Sequence, residues 1–383
     1  MLKAYRTEIK PTPEQRQQIV RTFGVCRYLY NLYVATNQDR YHQGLPFLSA
    51  YAFDKWINRE YARAYPWIKA VSSKARKNAI VNAEVAYRRF FKGLGELPKF
   101  KKKHRQSASF YAPKNNAGDW TVERHRMKIP TLGWVRLKEF GYLPVGSRVT
   151  GGTLTQKADR FFVSVTVDTE RPTISEPPSG EGIGVDVGIK KLATTSPGEM
   201  FPNLNKAAKI QQLERRLRRA QRAWSRKYEE RKRQGLLAKG GRNLAKNLLR
   251  IQKLYWRSAN QRAAYRETVI QTLVKTKPMF ITVEHLNVRG MLKNRHLSKA
   301  IRDQGFYTFK QRLVHSAKKY GIEVREVSMF YPSSKLCSHC GYKKLDLTLK
   351  DRTYDCPHCG LSIDRDVNAA KNLAQADRYQ TIS

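Results

Sequence analysis

Four of the five cysteines form two closely spaced pairs late in the chain. Cys337 and Cys340 are separated by two residues, and fifteen residues later Cys356 and Cys359 repeat that spacing. Each pair is followed directly by a glycine, which allows the backbone to turn around a bound ion. A two-residue gap lets both thiolates of a pair face one ion, and four thiolates complete a closed tetrahedral zinc shell. The pattern therefore predicts a structural zinc ribbon, which holds a fold together but does not itself hydrolyse a substrate.

The sequence shows neither a membrane span nor a secretion signal, which indicates a reducing compartment. No run approaches the roughly 18 consecutive apolar residues that a membrane span needs, and the first residues lack an apolar signal core. We therefore expect a cytoplasmic protein, in which disulfides are disfavoured. Cys26 lies on an apolar helical stripe and is expected to be a small buried hydrophobic residue.

The charge of the chain requires a polyanionic partner. Lys and Arg number 74 against 31 Asp and Glu, which gives a formal net charge of +43. The cations are spread through the chain instead of forming the single amphipathic stretch of a membrane-surface helix. They are interleaved with 20 Tyr, 15 Phe and 6 Trp, which suits backbone neutralisation combined with base stacking. Nucleic acid is the favoured partner, although composition alone equally allows a basic ribosome-like protein without chemistry.

Three changes in sequence texture predict the organisation of the chain. Residues 12–94 show helical periodicity, with Thr12 placed to cap the first helix. Between Pro98 and Arg171, short β-rich runs separated by turn residues predict a small antiparallel β-barrel or sheet. The stretch from Pro172 to Gly182 has the composition of a linker.

After this linker, strands alternating with helices predict an α/β domain. Two basic amphipathic helices between Lys206 and Arg257 are expected to form a helical hairpin around Gly235–Gly241. The other predicted elements are a strand hairpin at Gly182–Asp186 and Ile189–Thr195, a buried strand at Met279–Glu284, a helix at Phe306–Tyr320 and a strand at Ile322–Val327.

Three acids stand at the ends of predicted elements. Asp186 and Glu284 each end a strand, and Asp366 is expected to open and cap a helix over residues 367–376. Each acid alone has a purely structural explanation. Together, acids at adjacent strand ends and on a facing helix can converge on two Mg²⁺ ions that activate water for phosphodiester hydrolysis. The residues alone do not decide between structural acids and a metal site.

Several motifs, in this order along the chain, resemble those of the TnpB family of transposon-associated RNA-guided nucleases, which are related to the ancestors of type V CRISPR effectors. The segments that carry the resemblance are Cys26–Asn31, Leu132–Val135, Gly184–Gly188, Val283–Leu286, Tyr331–Cys337 with its zinc knuckles, and Asp364–Ala370.

The resemblance implies a multidomain α+β protein with a RuvC-like nuclease domain of the RNase H type, interrupted by the zinc ribbon. Asp186, Glu284 and Asp366 match the family's metal-binding acids, whereas Asp364 does not. The implied segments are residues 1–11 and 95–180 for a β-barrel (wedge) domain and linker, 12–94 for a helical recognition lobe, 181–330 and 363–383 for the RuvC-like domain, and 331–362 for the zinc ribbon.

The implied activity is RNA-guided cleavage of double-stranded DNA. A guide RNA from the transposon end would be held by the protein, base pairing would read the target, and the protein would read a short adjacent motif. The resemblance also implies a prokaryotic protein that would be associated with the nucleoid when bound to DNA. Candidates for motif recognition are Tyr51, Lys74, Lys77, Asn115 and Asn116.

Two other functions remain open: a guided DNA-binding repressor without cleavage, and a strand-exchanging transposase. The presence of all three acids favours the nuclease, because an inactive relative would be expected to lack one of them.

Overall fold

The structure is a computed structural model that describes residues 2–103, 108–114, 116–169, 177–236, 241–348 and 350–382. The chain divides into two compact units, Met1–Arg171 and Pro172–Ser383. Within the described ranges, no helix is long and apolar enough to cross a bilayer.

The helices of the first unit occupy the region in which helical periodicity predicts them. Thr12 caps the first helix as predicted: its hydroxyl accepts a hydrogen bond from the Gln15 amide, and the Gln15 side chain accepts one from the Thr12 amide. Tyr33, Phe53 and Ile80 are fully buried where the helices meet. The helices are α1 (Pro13–His42), α2 (Ala50–Trp56), a π-helical turn (Ile57–Tyr61), α3 (Ala62–Ala64), a 3₁₀ turn (Pro66–Ile68) and α4 (Ser73–Phe91).

The sheet of the first unit has seven strands, and all its neighbouring strands pair antiparallel. The strands are β1 (Leu2–Lys10), β2 (Ser109–Pro113), β3 (Thr121–Val122), β4 (Arg126–Ile129), β5 (Gly133–Leu137), β6 (Arg148–Lys157) and β7 (Arg160–Asp168). Their order is β2-β6-β7-β1-β5-β4-β3. The predicted antiparallel sheet is confirmed.

The prediction that this sheet closes into a β-barrel is wrong. Among the described residues no ladder joins the edge strands β2 and β3. Trp120, which precedes β3, has a left-handed backbone (φ 59°), so the extended chain begins only at Thr121 and β3 is two residues long. The buried Trp120 indole donates instead to the Ala112 carbonyl of β2 at 3.1 Å. A side-chain hydrogen bond therefore connects this region to β2, whereas a barrel would need a ladder of backbone hydrogen bonds.

The second unit is built on a six-stranded mixed sheet. Its strands are β8 (Ile183–Asp186), β9 (Lys191–Thr195), β10 (Met200–Pro202), β11 (Phe280–Glu284), β12 (Glu323–Val327) and β15 (Gln380–Thr381), in the order β10-β9-β8-β11-β12-β15. The pairs β8–β11 and β11–β12 are parallel, and the predicted hairpin β8–β9 is antiparallel. A separate two-stranded sheet consists of β13 (Thr353–Asp355) and β14 (Ser362–Asp364).

The predicted helical hairpin is confirmed, but its second helix is longer than the sequence suggests. The helices of this unit are α5 (Ala208–Arg233), α6 (Arg242–Lys275), α7 (Val288–Met291), α8 (Ser298–Gln304), α9 (Phe306–Lys319) and α10 (Arg365–Ala374). The first part of α6 packs against α5, whereas Val269 and Leu273 near its end join the core with Ile281 and Leu313. Because α6 continues from the hairpin onto the sheet, it does not stop at Arg257.

Candidate metal centres

Two of the three predicted acids lie at the same edge of the central sheet. In the parallel ladder between β8 and β11, Val185 is opposite Val283, and the next residues along the two strands are Asp186 and Glu284. Both strands have buried residues up to this point because helices cover the sheet. The apolar runs therefore bring both carboxylates to one edge.

The third acid reaches this edge because α10 packs directly on β8. The contact is at Gly184, where an added Cβ atom would lie 1.9 Å from the Ala370 carbonyl oxygen and 2.5 Å from the Ala374 nitrogen. No residue larger than glycine fits this approach without movement of the helix. The close packing places Asp366, in the first turn of α10, beside Asp186.

The beginning of α10 corrects one expectation. Asp364 caps the helix, since its side chain accepts from the amides of Asp366 at 2.9 Å and Val367 at 3.2 Å. Asp366 was expected to be the cap, but it lies within the first turn and its carboxylate is not engaged in capping. The two nearby acids therefore have different roles, and Asp366 is the one available to a ligand.

Electrostatics identify Asp186 as the central acid. Burial and, to a smaller extent, the negative charges of Asp366 and Glu284 together raise the pKa of Asp186 to about 7. Burial also raises the pKa of Glu284. Arg365 and Lys191 offset only part of this effect on Asp186. The site thus has buried negative charge that a divalent cation would neutralise.

Two adjoining cavities open at this site. Asp186, Asp366 and Lys191 line a cavity of about 760 Å³, whereas Glu284 lines a smaller one of about 40 Å³. Val187 and Phe306 line both cavities. Asp186 therefore lines the wider cavity together with Asp366, and Glu284 lines the adjoining one.

The structure does not bring the three acids as close together as the four cysteines. Among the described residues, the cysteines form the one group of three or more potential ligands whose atoms all lie within 4.8 Å of one another. Two Mg²⁺ ions about 4 Å apart, each with bonds of about 2.1 Å, allow terminal ligands of different ions to be about 8 Å apart. Three carboxylates of the preferred donor type, with Asp186 between the other two, are compatible with such a pair.

The backbone just after Asp186 is fixed by buried amides. The Gln304 side chain, 3% exposed, donates to the carbonyl oxygens of Gly188 at 3.1 Å and Ile189 at 3.2 Å. Asn203 also donates to Ile189, at 2.7 Å. These contacts hold the β8–β9 turn in one conformation, which keeps Asp186 in place at the strand end.

The four cysteines have the geometry of a zinc site. Sγ–Sγ distances are 3.6 Å for Cys337–Cys359 and 3.6 Å for Cys340–Cys356. Four thiolates about 2.3 Å from a tetrahedral Zn²⁺ lie about 3.8 Å from one another, so the arrangement fits the ion. No disulfide joins them.

The knuckle glycines have the role that the sequence predicts. Gly341 and Gly360 both have φ of +74°, a conformation that glycine adopts without strain. Their amides donate to the carbonyls of Cys337 and Cys356, at 2.9 and 3.0 Å, so the two knuckles turn in the same way.

Helix α10 also holds the ribbon. Asn368, fully buried, donates to the Leu336 carbonyl at 2.6 Å and accepts from the Ser338 amide at 3.0 Å. Asn372 donates to the carbonyls of Ser333 and Leu336, both at 2.7 Å. One helix therefore carries an acid of the first site and fixes the first knuckle of the second.

The candidates for DNA-motif recognition lie in the first unit and have different surroundings. Tyr51 is 74% exposed, and Lys77 is also exposed. Lys74 forms an ion pair with Asp119, and the amide of Asn116 donates to the same carboxylate at 3.0 Å. Asp119 thus brings Lys74 and Asn116 together. Asn115 lies outside the described residues.

Sequence reasoning missed two residues at these centres. Lys191 contacts Asp364 and Asp366. The sequence feature that could have indicated this residue is its position just beyond the turn that follows Asp186. Asn368 stands in a recognised motif, but its buried bonds to the ribbon depend on which face of α10 meets the knuckle. Neither contact follows from local periodicity.

Three family models match parts of the chain. A model described as "Helix-turn-helix domain" matches residues 1–45, where the structure has β1 and the single long helix α1. A model described as "Probable transposase" matches residues 162–295. A model described as "Cas12f1-like, TNB domain" matches residues 306–373, which include the four cysteines.

Similar proteins span nearly the whole chain. A protein of Streptomyces pristinaespiralis named "Putative RNA-guided DNA endonuclease" is 30% identical, over 98% of this chain and 89% of that protein. "Putative RNA-guided DNA endonuclease InsQ" of Escherichia coli K12 is 28% identical, over 98% of this chain and 92% of that protein. The solved Cas12f1-sgRNA-target DNA complex is 12% identical, with a TM-score of 0.58 over 99% of both chains, and shows a shared multidomain α+β fold. The chain therefore belongs to the TnpB family, as its ordered motifs indicate.

Proposed function

We propose that this chain is an RNA-guided endonuclease that cleaves double-stranded DNA by Mg²⁺-dependent phosphodiester hydrolysis. The observation that carries the proposal is the convergence of Asp186, Glu284 and Asp366 where β8, β11 and the first turn of α10 meet. The names of the relatives from Streptomyces and Escherichia coli support RNA guidance and DNA cleavage. The net charge of +43 supports a nucleic-acid partner of large size.

The three acids would hold two ions in this proposal. Asp186, which is influenced electrostatically by both other acids, is the candidate for a ligand shared between the ions, with Glu284 and Asp366 on either side. Mg²⁺ at such a site supplies a water nucleophile activated by the metal and stabilises the leaving oxygen. The chain's own contribution is rigid placement: Gly184 admits α10, and Gln304 fixes the turn after Asp186.

The nucleic-acid partners would be a guide RNA from the transposon end and a double-stranded target. Base pairing would select the target, while the first unit would read a short adjacent motif. Tyr51 and Lys77 have exposed side chains for this task. Lys74 would first have to leave Asp119, and Asn115 and Asn116 complete the candidate set. Asn amides suit adenine edges, and Lys suits guanine or phosphate.

The remaining assignments follow from the same proposal. The four cysteines would hold a structural Zn²⁺. Residues 12–94 would form the recognition lobe, residues 1–11 and 95–180 the wedge domain and linker, residues 181–330 and 363–383 the RuvC-like domain, and residues 331–362 the ribbon.

Purification from cells that carry the natural genomic neighbourhood tests this proposal. RNA that co-purifies would be sequenced, and the complex would be given a plasmid library with randomised bases beside a sequence complementary to the guide. We expect one defined transposon-end RNA and Mg²⁺-dependent linear product from a subset of flanking sequences. A heterogeneous RNA population, or cleavage that ignores the guide, would contradict the proposal.

Two variants separate cleavage from binding. Asp186→Asn should bind RNA and target as the wild type does but should not cut, because a carboxylate ligand is lost while the basic surfaces remain. Glu181→Gln is a matched control, since this exposed acid lies five residues before Asp186 and should leave cleavage unchanged. Target binding without cutting by the wild type would instead favour a guided repressor, and joining of DNA ends would favour a transposase.

A further inference from the structure

A lysine ammonium group lies against two of the acids at the start of α10. Lys191 begins β9, and its Nζ is 3.2 Å from Asp366 Oδ2 and 3.2 Å from Asp364 Oδ2. The Lys191 side chain is 22% exposed and that of Asp366 is 23% exposed, so the pair is largely shielded from water. Asp366 thus already has a cationic partner.

The two contacts of Lys191 are not equivalent. Asp364 caps α10 through its Oδ1 atom whether or not a lysine is nearby. Asp366 has no comparable backbone role, and it faces the cavity of about 760 Å³ together with Asp186 and Lys191. The ammonium therefore occupies one side of a carboxylate that the proposed nuclease centre needs for its metal.

Further cations surround this ion pair. The remaining basic groups that line the cavity, Arg352 and Arg365 among them, add to the positive field around Asp366. Lys190, the preceding residue, is exposed and lines the same cavity.

We propose that Lys191 is a built-in counter-cation that competes with the divalent ion for Asp366. Without metal, its ammonium neutralises this carboxylate and limits repulsion among the clustered acids. When a divalent ion binds, Lys191 has to give up at least part of this contact, so it sets the metal concentration that the site requires. The inference rests on the proposed nuclease centre and assigns a positioning role to a residue outside the three acids.

The direction of change in metal affinity tests this inference. Mn²⁺ binding to the full chain without RNA would be measured from the electron paramagnetic resonance signal of free Mn²⁺, because RNA phosphates would bind the ion themselves. Removal of the competitor in Lys191→Gln should tighten Mn²⁺ binding about fivefold, the ratio expected for a partly exposed ion pair. Lys191→Arg should weaken it, since a guanidinium bridges two carboxylates in fixed geometry.

Controls separate this role from simpler ones. Lys275→Gln removes the same charge from an exposed position at the end of α6 that does not line this cavity, and it should change Mn²⁺ affinity less than twofold. If Lys191 only supports the fold, Lys191→Gln would weaken Mn²⁺ binding; an unchanged affinity would show no competition. Either result overturns the inference.

Thermal unfolding of the zinc-loaded protein provides a second readout. Lys191→Gln should unfold at a lower temperature than the wild type without Mn²⁺ and should gain more from added Mn²⁺. An equal gain in both proteins would contradict competition. Asp186→Asn shows whether the proposed function itself fails. The wild type should have an Mn²⁺ site that this substitution removes, and if it has none, the proposal of a nuclease centre is wrong.

Discussion

The contact between Gly184 and α10 makes a sharp prediction about how the acids are assembled. Gly184→Ala adds one methyl group, at a strand position whose backbone conformation is ordinary for alanine. The added Cβ atom would lie 1.9 Å from the Ala370 carbonyl oxygen and 2.5 Å from the Ala374 nitrogen. Both atoms belong to the backbone of α10, so no side-chain rotation can relieve the overlap.

The size of the effect follows from the distance that α10 must move. Extending the Cβ–oxygen contact from 1.9 Å to the 3.4 Å of ordinary contact requires a displacement of about 1.5 Å. Overpacking of this kind costs about 3 kcal/mol of unfolding free energy, the upper part of its usual range, because the obstacle is backbone. A shift of about 1 Å at a reacting group costs about 100-fold in rate. We therefore expect Gly184→Ala to lose at least about 100-fold in cleavage.

Three measurements check this prediction. Single-turnover cleavage of a guide-matched plasmid gives the rate, chemical denaturation gives the unfolding free energy, and filter binding gives guide-RNA affinity. RNA affinity should remain within about twofold, because the basic surfaces are unchanged. Gly24→Ala is the matched control: it lies within α1, nothing lies within 4 Å of its added Cβ atom, and it should be neutral or stabilise by up to about 1 kcal/mol.

Wild-type cleavage by Gly184→Ala would refute the reasoning. It would mean that the position of Asp366 does not depend on close packing between α10 and β8. Cleavage and RNA binding lost together would point to general unfolding, which the denaturation curve would reveal.

Three further predictions address charge, zinc and salt. Because the pKa of Asp186 in the folded protein is about 7, above its ordinary 3.8, the stability contributed by this group is fully present below pH 3.8 and is lost as the pH rises through 7. Asp186→Asn should therefore raise the unfolding free energy of the metal-free protein by at most about 4 kcal/mol at pH 8, and by much less at pH 5. Urea denaturation measures this effect, and an equal gain at both pH values would contradict the prediction. Cys337→Ser should lower the zinc content measured by mass spectrometry, and full zinc content would exclude Cys337 as a ligand. Because Asn368 holds this knuckle on α10, the substitution should also lower the cleavage rate. The logarithm of guide-RNA affinity should fall steeply and linearly with the logarithm of salt concentration, and a flat response in filter binding would argue against phosphate neutralisation.

The elements that frame the acid site were predictable because their signals are local. Continuous apolar runs before Asp186 and Glu284 predict buried strands, and buried parallel strands end at one edge. The cysteine spacing likewise predicts the knuckles, since a two-residue gap constrains the thiolates regardless of the surrounding fold.

The features that the sequence did not reveal all depend on contacts between distant residues. The left-handed backbone of Trp120, which accompanies an open sheet where a barrel was expected, has no local marker such as glycine. The extension of α6 to Lys275 reflects burial of Val269 and Leu273 against the sheet. The contact between Lys191 and Asp366 joins residues on different elements, and only the packing of α10 on β8 brings them together.

Location of bound Mn²⁺ by its anomalous X-ray scattering tests the central claim most directly. Crystals of the zinc-loaded protein with guide RNA and a non-cleavable target would be grown with Mn²⁺ in place of Mg²⁺. The account predicts anomalous peaks about 2.2 Å from carboxylate oxygens of Asp186, Glu284 and Asp366, with Asp186 nearest to both ions, and their loss in Asp186→Asn. Mn²⁺ bound elsewhere, with these three carboxylates free of metal, would contradict it.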